Sequence, residues 1–149
     1  MSESTLSPAD EKPLRVMRVA DVVFELSEPS PQVHLVETEG QGRHLVIPMA
    51  LPEGTALHQA LNKVVGRRPT THEFYAEMLS RLQAEVVAVR LTSYSKGVFY
   101  AELEVMGPRG REVLDCRPSD ALILAHRQRV PAPVLCAEQV LAAFADVVS

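Results

Sequence analysis

Two stretches of this chain show the same order of secondary-structure elements, and that order limits the folds that the chain can adopt. Each stretch runs strand, glycine-containing turn, strand, proline and apolar helix, over residues 33–61 and again over 99–125. From Phe99 to Val105, apolar and polar side chains alternate, which is the period-2 pattern of a half-buried strand. We therefore predict an α+β fold, an antiparallel-rich mixed sheet with helices packed against it, and an internal strand–turn–strand–helix duplication.

The remaining segments complete the predicted element order. Residues 1–12 are polar, with little to bury, and we expect a disordered leader followed by a single domain over 13–149. Runs rich in β-branched residues predict strands, and apolar residues three or four apart predict helices. The predicted strands cover 16–26 (one strand or two), 33–38, 43–49, 85–93, 98–106, 111–116 and 133–136, and the predicted helices cover 54–65, 70–83, 118–129 and 137–147.

Composition excludes several classes of protein. The chain has no apolar run near the roughly 20 residues that span a bilayer, and its first ten residues lack the basic and apolar parts of a secretory signal. We expect a cytoplasmic protein without a membrane segment. Cys116 and Cys136 have no metal-ligand spacing, so two buried thiols are the simplest interpretation. The net charge of −4 does not favour attraction of nucleic acid by the whole molecule.

The most unusual polar segment runs from Asp115 to Asp120, at the predicted start of a helix. A helix start presents free N–H groups and suits a phosphate, which Ser119 and Arg117 could help to bind. Asp115 and Asp120 could hold a divalent cation or activate water. A structural interpretation competes: Ser119 would cap the helix, Asp120 would complement its dipole, and Arg117 would pair with either acid.

A second helix start lies in the segment from Arg67 to Glu73. There Arg68 could bind phosphate, His72 could act as a general base, and Glu73 could act as a base or a metal ligand. The structural alternative makes Thr70 and Glu73 a capping box, with His72 exposed in the first turn. The sequence leaves open whether the two helix starts face each other.

These motifs together resemble the bifunctional nuclease domain. The resemblance rests on Arg68-Pro69-Thr70-Thr71-His72-Glu73, Gly97-Val98-Phe99-Tyr100-Ala101, Asp115-Cys116-Arg117-Pro118-Ser119-Asp120-Ala121 and Pro133-Val134, and in order and spacing it covers roughly 33–145. Three departures are visible. Glu73 stands where the family usually has Asp, Cys116 where Ala is common, and Ala50 to Thr55 differs from the usual glycine followed by acidic residues and alanine.

The resemblance implies a compact α+β fold, hydrolysis of phosphodiester bonds in RNA, DNA or both, and a homo-oligomer, with a dimer expected. On this hypothesis His72, Glu73, Asp115 and Asp120 are catalytic, and Arg68, Arg117 and Ser119 bind substrate. Glu73, Asp115 and Asp120 would hold Mg²⁺ or Mn²⁺ if a metal assists. The alternative hypothesis is a regulatory module that binds a phosphate or nucleotide without cleaving it.

Overall fold

The computed structural model describes residues 13–147, so the predicted leader over 1–12 lies outside the described residues. The strands are β1 (Leu14–Val23), β2 (Gln32–Glu37), β3 (Arg43–Pro48), β4 (Glu85–Ser95), β5 (Val98–Gly107), β6 (Gly110–Cys116), β7 (Val134–Ala137) and β8 (Asp146–Val147). The helices are α1 (Leu51–Leu61), α2 (Thr71–Arg81), α3 (Pro118–Arg127) and α4 (Glu138–Phe144).

The strands form one sheet in the order β6-β5-β4-β7-β1-β2-β3-β8. Every neighbouring pair is antiparallel except β4 and β7, which run parallel. The predicted α+β class and the antiparallel-rich mixed sheet are therefore confirmed. Both predicted units are antiparallel pairs followed by a helix, β2–β3–α1 and β5–β6–α3. Their origin by duplication stays a prediction.

The conformations of two turns follow from the local sequence. The turn between β4 and β5 consists of Lys96 and Gly97, with φ of 52° and 82°, and two positive φ angles match the right-handed twist of a tight hairpin. The turn between β2 and β3 uses Gly40 and Gly42, also at positive φ. These turns fix the strand register that brings the apolar faces of the hairpins together.

Helix α1 shows where the sequence prediction was wrong. It begins at Leu51 rather than 54, because proline is tolerated in the first turn and Pro52 starts the helix instead of delaying it. It ends at Leu61 rather than 65, because Lys63 adopts a left-handed conformation with φ of 57°. Val65, expected on the apolar face of α1, is consequently exposed.

Helix α3 is the central element of the helical layer. It packs against β4 and β5 and contacts both α1 and α2. Its side chains Leu122, Ile123 and Ala125 are fully buried, whereas α2 buries no residue completely. Leu57 and Ala60 attach α1 to the same core. Helix α3 is thus packed between the two neighbouring helices α1 and α2.

Candidate functional site

The start of α2 is fixed by a capping box, as predicted. The Thr70 hydroxyl accepts a hydrogen bond from the Glu73 backbone N–H, and the Glu73 carboxylate accepts one from the Thr70 N–H at 3.2 Å. The Glu73 side chain is therefore folded back onto the N-cap. His72, one residue earlier, projects from the other side of the first turn toward α3.

The start of α3 differs in detail from its prediction. Arg117 is the N-cap residue, in extended conformation, and its side chain makes no capping hydrogen bond. Pro118 follows at the first helical position, where its fixed φ suits the helix. Ser119 therefore lies inside the first turn and is buried, so the interpretation of Ser119 as the helix cap was wrong.

The two helix starts meet at Asp120. Its Oδ1 lies 2.9 Å from His72 Nε2, and its Oδ2 accepts a hydrogen bond from Arg117 Nε at 2.8 Å. Arg117 Nη2 donates a second hydrogen bond to Oδ1 at 3.1 Å. His72 and Asp120 form a dyad, and we call this dyad together with Arg117 the dyad cluster. The sequence left open whether these helix starts face each other, and the fold brings them into contact.

The electrostatics of the dyad cluster keep Asp120 ionised. Partial burial raises the pKa of the Asp120 carboxyl, but hydrogen bonds from Arg117 and His72, with the positive charges behind them, outweigh burial and hold that pKa below its usual range. The hydrogen bond to Asp120 raises the pKa of Arg117 in turn. The Arg117 side chain is 63% exposed, so the cluster opens to solvent on the arginine side.

A third helix start also reaches the dyad cluster. Glu53, in the first turn of α1, places Oε2 4.0 Å from Arg117 Nη2. Sequence reasoning did not select Glu53. The available signal was the repeated pattern itself, because an acidic residue follows the proline at the helix start in both units, Glu53 after Pro52 and Asp120 two residues after Pro118.

The other predicted site residues lie outside this contact. Asp115 is exposed near the end of β6, and Arg68 is exposed in the segment before α2. Glu73 is occupied by its capping box, with Arg127 Nη2 3.9 Å away. Within residues 13–147, no group of three or more His, Cys, Asp or Glu side chains is arranged to hold a metal ion. Glu73, Asp115 and Asp120, the predicted ligand set, are thus not gathered into such a group in the described part of the chain, and a bound cation stays a prediction.

Both cysteines are free thiols. Cys136 is buried, as expected, and Cys116 at the end of β6 is half-buried. Desolvation raises the pKa of Cys116 to about 11, and the carboxylates of Asp120 and Asp115 add to the effect. Neither thiol is set up as a nucleophile.

In the described part of the chain, none of the helices has the length and apolar character needed to cross a membrane.

Comparison with known proteins identifies a family that this chain matches. The family model of the bifunctional nuclease domain matches residues 33–148. "Bifunctional nuclease 1" of Oryza sativa subsp. indica is 30% identical over 130 residues, which is 84% of this chain and 39% of the relative. "Bifunctional nuclease 1" of Arabidopsis thaliana is 31% identical over 109 residues, 71% of this chain and 34% of the relative. The chain therefore spans about two fifths of the rice relative's length and a third of the Arabidopsis relative's.

Proposed function

The chain belongs to the bifunctional nuclease domain family, and from that membership we propose that it hydrolyses phosphodiester bonds of RNA, DNA or both at the dyad cluster. The relatives carry the name of nucleases. The observation that carries the proposal is the 2.9 Å contact between His72 Nε2 and Asp120 Oδ1, made across 48 residues of sequence.

This contact suits general base catalysis. An imidazole that donates Nε2–H to an ionised carboxylate keeps its Nδ1 lone pair for a proton, and the carboxylate stabilises the imidazolium that forms. His72 Nδ1 makes no hydrogen bond to residues 13–147. In the proposed reaction, a water oxygen bonds to phosphorus, its proton moves to Nδ1, and the leaving oxygen takes a proton from solvent as its bond to phosphorus breaks.

Arg117 is the proposed phosphate-binding group. Its Nε and Nη2 are bonded to Asp120, whereas Nη1 has no hydrogen bond to the described residues. A guanidinium aimed at the phosphate stabilises the negative charge that grows on the phosphoryl oxygens in the transition state. Arg68, on the exposed segment before α2, is proposed to contact a neighbouring phosphate. Ser119, being buried, contributes through its backbone rather than its hydroxyl.

Mg²⁺ or Mn²⁺ stays a prediction for this chain. Because the described residues gather no set of three metal-binding side chains, no step above depends on a cation. The test therefore compares cleavage in EDTA with cleavage in added Mg²⁺ and in added Mn²⁺. Activity in EDTA would support the dyad cluster acting alone, and activity only with a cation would require substrate phosphates or a second copy to complete its coordination.

The decisive experiment replaces Asp120 by Asn. The purified chain should cleave fluorogenic RNA or DNA oligonucleotides. Asp120→Asn should lower kcat by about 10²–10⁴-fold, because an amide neither orients the neutral imidazole of His72 nor stabilises its imidazolium, and the contribution of the general base is lost. Asp21→Asn is the matched control, since Asp21 is an exposed acid on β1 whose side chain accepts a hydrogen bond from the Val22 N–H and makes none with the dyad cluster. A folded Asp120→Asn variant that cuts as fast as the parent would remove the proposal.

Capture of a phosphate or nucleotide without cleavage is the second candidate function. The net charge of −4 favours it, because such a charge disfavours association with a long nucleic acid. Arg117 Nη1, which has no hydrogen bond to the described residues, is the group that would bind the anion. If this second candidate is right, nucleotides raise the melting temperature of the chain. Substitution of Asp120 then leaves the background cleavage rate unchanged. Arg117→Ala should then abolish the thermal shift.

Self-association is proposed from the surface of α2. Tyr75, Met78 and Leu82 are exposed, and their i, i+3, i+7 spacing places them on one stripe of the helix surface. A second copy is the proposed partner, because two-fold dimers are the commonest assemblies and would bury the stripe against itself. Light scattering should give a dimer for the parent and for the control Leu26→Glu, and a monomer for Met78→Glu.

A further inference from the structure

A concave surface lies beside α2, and the dyad cluster does not line it. It is an open groove of about 960 Å³ between α2, the end of α3 and the turn from β5 to β6. Phe74, Met106 and Pro108 supply apolar surface, and Arg127 and Glu73 supply charge. We call it the Arg127 groove.

Arg127 is a buried donor whose hydrogen bonds are incomplete. Its side chain is 8% exposed, and its Nε has no hydrogen-bond partner among residues 13–147. Its nearest carboxylate contact, Nη2 to Glu73 Oε1, measures 3.9 Å and is too long for a hydrogen bond. Arg43 provides the contrast, because its side chain is 9% exposed and bonds two carboxylates, those of Glu37 and Glu138. Arg127 thus has a charge partner in Glu73 but incomplete hydrogen bonds. An unmade hydrogen bond on a buried guanidinium is costly, so the groove has a place for an acceptor.

The acceptor that fits is not a simple anion. Glu73, Glu77 and Glu85 line the groove together with Arg127 and Arg129, so acidic side chains outnumber basic ones. A phosphate dianion would be repelled by the carboxylates. Glu73 Oε1 accepts hydrogen bonds from Thr70, whereas Oε2 accepts none from the described residues. The groove thus offers the guanidinium of Arg127 as a forked donor, next to Glu73 Oε2 as an acceptor that is not engaged by the described residues.

Guanine matches that arrangement more fully than the other bases. Its O6 and N7 are adjacent acceptors that a guanidinium binds in bidentate fashion, and its N1–H and exocyclic amine donate to a carboxylate. Adenine and cytosine each turn an amino donor toward the guanidinium, and uracil offers only one acceptor on that edge. Phe74, 55% exposed, provides a ring on which a base can stack.

We propose that the Arg127 groove is a nucleobase subsite selective for guanine, with Arg127 on O6 and N7 and Glu73 on the opposite edge. Its place in nucleic-acid cleavage rests on the proposed function. Asp120 and Arg127 are seven residues apart on α3, or about 10 Å along the helix axis. A short single strand can therefore present a phosphate to the dyad cluster and a guanine to the groove.

Binding tests the subsite without any cleavage. Titration of the full chain, followed by amide NMR shifts, should show guanosine and GMP binding at least about 10-fold tighter than AMP, CMP or UMP, the discrimination of a good bidentate contact. Arg127→Met should abolish that preference. It also removes the charge that pairs with Glu73, so the fold of the variant is verified by circular dichroism before its binding is compared. Arg18→Met, an exposed arginine on β1, is the matched control and should bind as the parent does.

The outcomes separate the two proposals. Equal affinity for all four nucleotides, or displacement of GMP by inorganic phosphate, would overturn the guanine subsite and leave cleavage by Asp120 untouched. Guanosine binding that depends on Arg127 in a chain with no cleavage would support the subsite while removing the nuclease proposal. If both hold, cleavage of RNA should concentrate beside guanines in the parent, and Arg127→Met should lose this preference.

Discussion

Replacing Glu37 by Gln should destabilise the fold more than any comparable change at the surface. Glu37 ends β2 and is 3% exposed. Its carboxylate accepts hydrogen bonds from Arg15 Nε at 2.7 Å, from Arg43 Nε at 3.0 Å and from Arg43 Nη2 at 3.1 Å. Arg43 also bonds Glu138 at the start of α4. This cluster joins the β2–β3 hairpin to β1 and α4.

The pKa of Glu37 gives the size of its contribution to the free energy of unfolding. Hydrogen bonds from Arg43 lower that pKa, burial opposes them, and Arg15 adds to the lowering, which leaves the carboxyl at about 2 against its ordinary 4.5. Each pKa unit is worth roughly 1.4 kcal/mol, so ionised Glu37 contributes roughly 3 kcal/mol to the free energy of unfolding at neutral pH. An amide cannot balance the buried charge of Arg43, and removing one partner of a buried pair typically costs about 3–5 kcal/mol.

Urea unfolding followed by circular dichroism measures the loss. Glu37→Gln should lower the free energy of unfolding by about 3 kcal/mol and the melting temperature by roughly 6–12 °C for a chain of this size. Glu77→Gln is the control, because it makes the same chemical change in the exposed pair with Arg81 and should cost well under ~1 kcal/mol. Equal losses in the two variants would refute the assignment.

The pH dependence supplies a second check on Glu37. Because the folded-state pKa is depressed, the stabilisation is present in full above the unfolded pKa of about 4.5 and is lost as pH falls toward about 2. The stability difference between parent and Glu37→Gln should therefore be constant from pH 7 to pH 5 and shrink below that. A difference that stayed unchanged down to pH 3 would contradict the ionic origin of the effect.

Three further predictions concern local structure. Gly54→Ala should lower the melting temperature by several degrees, because the added Cβ would lie 2.4 Å from Pro31 Cγ. Thr70→Ala should cost about 1 kcal/mol in urea unfolding, since it removes the capping hydroxyl of α2. Burial raises the pKa of Cys136 to about 12, so a thiol reagent at neutral pH should modify it only on unfolding, with half-buried Cys116 reacting sooner.

Local patterns predicted the elements of this fold well. The period-2 run of β5 buries Ala101, Leu103 and Val105 as expected. The same run shows the limit of such patterns, because Glu104 was expected to face solvent and is 3% exposed. It lies between Arg90 on β4 and Arg111 on β6, so the neighbouring strands bury its carboxylate by pairing with it. Only the strand order reveals those partners.

The sequence likewise predicted one part of the candidate site, and only the fold shows the rest. Capping, dipole and turn chemistry depend on residues within about four positions, so the sequence alone determined the start of α2 and singled out the segments that carry His72 and Asp120. That these two side chains touch across 48 residues was decided by the packing of α2 and α3 on the sheet. In the sequence Arg127 is one arginine among several, and only the fold shows that its side chain is buried with Nε unbonded to the described residues. A short-range pattern cannot contain such facts, because they depend on where distant parts of the chain come to lie.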